Sequence, residues 1–364
     1  MLNRDLVIIG AGPSGLCAAK MAAESGQKVL LIDRNPQLGG QLIKQTHMFF
    51  GSEKQYAKTR GIDIAKKLID DVKNYPDLIE IWDNATVLGL YPDKVLTVLL
   101  GETYRKVQAQ AIIVATGASE KVLAFENNDL PGIYGAGAVQ TLMNVYGVKP
   151  GEKIVMVGSG NIGLIVSYQL MQAGVKVLAV IEAAPVIGGY KVHASKLQRL
   201  GVDIITSCTI KKALGQDKVE SIITTRLNEK WEEIPGTEQE YDVDAVCIAV
   251  GLSPLTNLLA MLGCELKYIS ELGGLVPVLT NDYETTIEGV YACGDASSIE
   301  EASSAMVEGY IAGLTASKKL GKVHPDYDDL ILDFRKQLEV LRSGPFGEKI
   351  RKGLAKLEGV RVGC

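Results

Sequence analysis

The chain has 364 residues, of which 47% are hydrophobic, 22% charged and 6% aromatic, with 39 Gly and a net charge of −5. That is enough for two globular domains with a core each, and the negative balance speaks against nucleic acid as the main partner. Its six cysteines (Cys17, Cys208, Cys247, Cys264, Cys293 and Cys364) contain no CxxC, zinc-knuckle or iron–sulfur spacing, so neither a cluster nor a disulfide framework is expected, and the cytoplasm is the expected compartment.

From the N-terminus, Asp5 to Gly10 is a short apolar run of the kind that forms a buried parallel strand. It is too short for a signal-peptide core and is broken at once by Gly10, Gly12, Pro13 and Gly15. A helix is expected from Leu16 to Glu24, stopped at Gly26, and then a second strand from Lys28 to Asp33. Ala111 to Gly117 is a further apolar strand. Residues 130–151 carry several Gly and Pro, as a crossover would. The opening pattern then recurs: strand Lys153 to Gly158, glycine turn Gly158 to Gly163, helix Leu164 to Ala173, Gly174, and strand Lys176 to Glu182. Ala245 to Gly251 matches Ala111 to Gly117, and the chain returns through Gly289 to Asp295 to a helix over Ser303 to Leu320. The last ~40 residues read as a separate, polar, Lys/Arg-rich helical appendix, broken at Pro345 and Gly347. No run approaches the ~18 apolar residues that span a bilayer.

Each GxGxxG asks three things of its glycines: a tight turn, close approach of backbone to a pyrophosphate, and close packing of helix on strand. The helix N-terminus offers N–H groups and partial positive charge to the phosphates. An acid about 20 residues on accepts hydrogen bonds from the adenosine ribose, a place filled by Asp33 and Glu182. One such turn is weak evidence; two, each with strand, helix and acid in place, are strong. Glu182 would repel a 2′-phosphate, and residues 183–188 hold no Arg or Lys, so NAD(H) is expected over NADP(H).

Five features in order (Gly10–Gly15, Gly39-Gly40-Gln41, Ala115-Thr116-Gly117, Gly158–Gly163 and Thr286 to Asp295) resemble the two-dinucleotide-domain flavoproteins of the pyridine nucleotide–disulfide oxidoreductase superfamily. The resemblance covers roughly residues 5–325. It implies an α/β fold of two Rossmann-like domains, the second inserted in the first: 1–119 with 246–325 for FAD, 120–245 for NAD(H), and 326–364 as the appendix. It implies FAD contacts at Gly10, Gly12, Pro13, Ser14, Gly15, Asp33, Arg34, Gly40, Gln41, Thr46, Val87, Ala115, Thr116, Gly117, Gly294, Asp295 and Ala302. Asp295 would lie near the ribitol, and the helix starting near Ala302 would point at the pyrimidine ring. NAD(H) contacts are implied at Gly158, Gly160, Asn161, Ile162, Gly163, Glu182 and Gly251. The redox cysteine pair of the disulfide reductases is missing, which removes disulfide reduction by that route, and Cys293 reads as a buried filler.

Leu130 to Gln140, Tyr146 to Gly151 and Glu300 to Ser303 resemble, more narrowly, the nucleotide-binding flavoprotein subunits of amine and amino-acid dehydrogenases: those of sarcosine oxidase (its α chain), opine oxidase (its A component) and hydrogen cyanide synthase (its flavin component). That likeness implies an oligomer with a second flavoprotein and an iron–sulfur protein as partners. His47 is a candidate acid/base beside the flavin, since imidazole titrates near neutrality, or else a hydrogen-bonded positional histidine. His193 and His324 read as surface or packing residues, and no metal site is expected. The expected function is an FAD-dependent oxidoreductase exchanging electrons between NAD(H) and flavin within such a multi-component dehydrogenase. The alternatives are a stand-alone NADH-dependent reductase and a component whose second nucleotide is structural.

Overall fold

Continuous apolar strands set the architecture of the protein, seen in a computed structural model that describes residues 1–345 and 347–361. Cys364 and Phe346 lie outside the described residues. The chain divides into a first unit, residues 1–119 together with the chain from 253 onward, and a second unit, residues 120–252.

In the first unit the strands run in the order Ile79–Trp82, Val29–Ile32, Leu2–Ile9, Thr103–Val114, Val95–Leu100, Ala85–Leu90. The first four are parallel, and the last two each pair antiparallel with the strand before. The long strand Thr103–Val114 serves both arrangements. Its mostly exposed first half pairs antiparallel with Val95–Leu100, while its apolar end, Ala111 to Val114, is buried on both faces. Val290–Ala292 joins that end in parallel, bringing Gly294 and Asp295 to the C-terminal end of the sheet.

The first crossover helix, Pro13–Glu24, begins a turn earlier than Leu16, because proline at the first helical position has the right φ and no N–H to satisfy. Helix Ala302–Lys319 lies on it with backbones nearly touching: a Cβ on Gly309 would fall 2.1 Å from the Ser14 carbonyl oxygen, and one on Gly313 2.4 Å from that of Ala18. Two glycines one helical turn apart are what that close approach requires.

The second unit repeats the plan. Its parallel strands run Asp203–Ile205, Lys176–Ile181, Lys153–Val157, Ala245–Ile248, Ile133–Gly135, with Asn161–Gln172 as the crossover helix. An antiparallel triplet, Cys208–Leu214, Ser221–Arg226 and Gln239–Asp242, accompanies them.

Three expectations need correction. The chain leaves the second unit after Leu252 rather than at 245/246, because Ala245–Ile248 pairs with Lys153–Val157 and Ile133–Gly135 inside that unit's own sheet. Residues 130–151 are not a plain crossover: they contain strand Ile133–Gly135 and helix Ala136–Asn144. The C-terminal helices Tyr327–Leu341 and Glu348–Arg361 are not a separate appendix but part of the first unit. Ile331, Phe334 and Leu338 are buried against Met21, Val307, Ile311 and Leu314. Leu357 is buried with Ile269, Leu272 and Val276. Among the described residues no helix is long and apolar enough to cross a membrane.

Candidate nucleotide-binding sites

In the first unit, Gly10 sits at φ 104°. A Cβ there would lie 2.3 Å from the Ala115 carbonyl oxygen, and one on Gly15 would lie 1.8 Å from that of Gly10. The turn is therefore wedged between its own helix and the Ala115 strand end. Gly39 N–H donates to the Ala11 carbonyl at 2.8 Å. Gly40 comes so close to the turn that a Cβ would meet the Gly12 Cα at 2.7 Å. From the other side Gly294, at φ 66°, leaves room only for a hydrogen, since a Cβ would meet the Ser14 hydroxyl at 2.5 Å. Four segments distant in sequence thus converge on the start of one helix, whose N-cap Gly12 supplies no side-chain acceptor. Such a cradle of N–H groups and bare Cα atoms suits a pyrophosphate.

Asp33 closes the turn. Its Oδ2 accepts from Ala11 N–H at 2.7 Å and its Oδ1 from Asn35 N–H at 2.8 Å, and the residue is buried. Thr116 Oγ1 donates to the Leu255 carbonyl, and Gly117 has φ 73°. Arg34 and Gln41 are exposed; Thr46 and Ala302 are half-buried. Val87 is half-buried, its side chain packed against a core cluster that includes Ile9, Ile32 and Val98. His47 is half-buried and stacked on Phe49, 5.8 Å between centroids.

Asp295 is mostly enclosed. Burial pushes its carboxyl up to about 7; the Glu300 charge adds to this, and a backbone hydrogen bond from Glu300 opposes it. Behind it lies a group that the sequence does not single out. Glu308, 1% exposed, accepts from Gly294 N–H at 2.7 Å and from Ser297 Oγ at 3.0 Å on one oxygen. Its other oxygen accepts from Arg342 at 2.6 Å. Arg342 also donates twice to Glu300, at 2.8 and 2.9 Å. Burial, then the nearby Glu300 charge, pushes the Glu308 carboxyl above the usual carboxylate range, and Arg342 opposes that rise. Burial likewise pushes the Cys17 thiol up to about 12 and raises that of Cys293, so neither is a ready thiolate.

The second unit builds the same turn. Gly158 (φ 106°) abuts the Ala249 carbonyl at 2.3 Å, and Gly163 abuts that of Gly158 at 2.1 Å, both measured from an added Cβ. Around Gly160, the N-cap of helix Asn161–Gln172, a Cβ would meet nothing within 4 Å, which leaves space for a phosphate. Glu182 Oε2 accepts from Ser159 N–H at 2.8 Å and Ser159 Oγ at 2.7 Å, and Oε1 from Ala184 N–H at 3.0 Å. Asn161 Oδ1 accepts from Tyr190 N–H at 2.8 Å. Ile162 and Gly251 are exposed.

Sequence reasoning missed one further repeat. Gly188-Gly189 stands as far after Glu182 as Gly39-Gly40 stands after Asp33. Gly189 N–H donates to the Ser159 carbonyl at 2.8 Å, the bond that Gly39 makes to Ala11 displaced by one residue along the doublet. The doublet is visible in the sequence, but a reading of residues 183–188 for charge alone passes over it. Arg226, opposite Cys208 on the neighbouring strand, donates to the Thr206 carbonyl at 2.7 Å.

Two dinucleotide-type turns, each with its acid bonded across it, define a protein of the class that carries two dinucleotide-binding folds in one chain. The family model described as pyridine nucleotide-disulphide oxidoreductase matches residues 4–309, and the chain belongs to that family of flavin-dependent oxidoreductases, which bind a flavin and a pyridine nucleotide. Among curated relatives, it is 29% identical to the opine oxidase A subunit of Rhizobium meliloti, over 88% of this chain and 63% of that protein. It is 26% identical to the sarcosine oxidase alpha subunit of Corynebacterium sp. (strain P-1), over 88% of this chain and 33% of that one. This chain thus spans less than two thirds of either relative. In structure it is similar to T. acidophilum thioredoxin reductase, with a TM-score of 0.72 and 24% identity over 88% of this chain and 99% of that one, a likeness of fold.

Proposed function

We propose that the first unit binds FAD, that the second binds NAD(H), and that the chain exchanges electrons between them as the nucleotide-binding flavoprotein subunit of a multi-component amine- or amino-acid-type dehydrogenase. The observation that carries this reading is the duplicated closure of the turn: Asp33 on Ala11 N–H at 2.7 Å and Glu182 on Ser159 N–H at 2.8 Å. FAD, when bound, supplies two-electron chemistry with a nicotinamide.

The protein's residues hold and orient. Gly10, Gly12, Pro13, Ser14 and Gly15 offer the helix N-terminus to the pyrophosphate, with Gly40 and Gln41 alongside. Asp33 and Arg34 take the adenosine end. Thr46, Val87 and Ala115 to Gly117 flank the flavin. Gly294 and Asp295 take the ribitol side, and Ala302 opens the helix whose dipole favours negative charge on the flavin. In the second unit Gly158, Gly160, Asn161, Ile162, Gly163 and Gly251 form the nucleotide bed. Glu182 takes the ribose and repels a 2′-phosphate. The names of the relatives, each a subunit, support work beside partners, for which we propose a second flavoprotein and an iron–sulfur protein.

Chromatography of the flavin released on denaturation should show FAD. Calorimetry on the flavin-loaded chain should show NAD⁺ binding about tenfold or more tighter than NADP⁺, since each factor of ten is about 1.4 kcal/mol. Equal or tighter NADP⁺ binding, or release of FMN, overturns the assignment. Purification from the source cell without a second flavoprotein and without iron would overturn the partner assignment.

A further inference from the structure

The C-terminal helices reach the loop from Gly294 to Glu301 by two routes. Arg342, the C-cap of helix Tyr327–Leu341, joins Glu308 and Glu300 through its guanidinium; the two carboxylate side chains are 2% and 5% exposed. Glu308 in turn holds Gly294 N–H and Ser297 Oγ. The second route runs through helix Glu348–Arg361. Leu357 covers Leu272, whose carbonyl accepts from Ile299 N–H at 3.0 Å, while Lys356 pairs with Glu271. Arg351 donates to the Arg342 carbonyl, tying the two routes together.

A guanidinium is suited to this place, since its planar fork serves two carboxylates at once and cannot lose its proton. Without it, two enclosed carboxylates face each other with no cation. Their repulsion then bears on the two bonds by which Glu308 holds the loop, and the negative charge that Arg342 balances is left uncompensated.

We propose that Arg342 is a positioning residue for the flavin: through Glu308 and Glu300 it fixes the Gly294–Glu301 loop and keeps those two acids from acting as unbalanced negative charge beside the bound flavin. The inference rests on FAD occupying the first unit. It gives the C-terminal helices a role in setting flavin affinity and potential.

The test uses the full chain, stripped of flavin and titrated with FAD by fluorescence quenching, with the midpoint potential of the reloaded protein measured alongside. Arg342→Met should bind FAD about tenfold or more weakly, the loss expected for one charge-assisted hydrogen bond, and its flavin should be harder to reduce than in the wild-type chain. Arg342→Lys should fall between, keeping charge but losing the fork. Arg335→Met removes a charge from the same helix, where Arg335 pairs with exposed Asp282, and should change neither quantity. If Arg342→Met does not fold, Glu308→Gln with Arg342→Met removes the stranded acid. That double variant should fold and should still bind FAD more weakly than the wild-type chain; wild-type affinity in it would overturn the inference. Unchanged affinity and potential in Arg342→Met, or equal shifts in Arg335→Met, overturn the inference while leaving FAD in place. A wild-type chain that binds no FAD overturns both readings.

Discussion

At the scale of residues, Asp33 and Glu182 are legible because spacing from a glycine turn is a linear feature, and both carboxylates are found bonded across their turns. Glu308 and Arg342 are not. Glu308 is one acid in a helix otherwise rich in Ala, Gly and Ser, and no spacing rule links it to an arginine at the end of the following helix. Asp295 carries a prediction of its own. Its carboxyl is pushed up to about 7 in the folded chain, above its unfolded value, so the folded state binds more protons than the unfolded one between about pH 4 and 7. Its contribution to stability is full below that window and is lost as pH rises through it. Thermal melting of the flavin-free chain should therefore show Asp295→Asn gaining on the wild type from pH 5 to pH 8. A constant difference across that range would contradict the raised carboxyl.

At the scale of elements, periodicity predicts the strands and crossover helices well, because continuous apolar runs flanked by glycine have few other solutions. It fails where an element's role depends on what it touches. The polar face of Tyr327–Leu341 suggests a detached appendix, yet Ile331, Phe334 and Leu338 on its other face complete a core with Val307 and Leu314. Ala245–Ile248 reads plainly as a strand, but its place in the second unit rests on pairing with Lys153–Val157, and sequence does not say which sheet a buried strand joins. Phe334 stacks on Tyr310 with centroids 5.1 Å apart and is 8% exposed. Phe334→Ala should cost about 3–5 kcal/mol, the usual loss for a buried phenyl ring. Chemical denaturation of the full chain checks this, and a loss below about 1 kcal/mol would mean that the helix does not rest on this core.

At the scale of the whole molecule, the protein is one plan used twice, and the copies can be separated by mutation. A Cβ on Gly163 would lie 2.1 Å from the Gly158 carbonyl oxygen, so Gly163→Ala must push the helix start off the second turn while leaving every residue of the first unit unchanged. Anaerobic mixing of NADH with the flavin-loaded chain, followed in the flavin absorption band, then tests the central claim. The wild-type chain should bleach, and Gly163→Ala, still carrying its FAD, should bleach at least about a hundredfold more slowly at equal NADH, about 2.7 kcal/mol of lost binding. A wild-type chain that does not bleach, or a Gly163→Ala chain that bleaches as fast, would contradict an exchange of electrons between the two nucleotides.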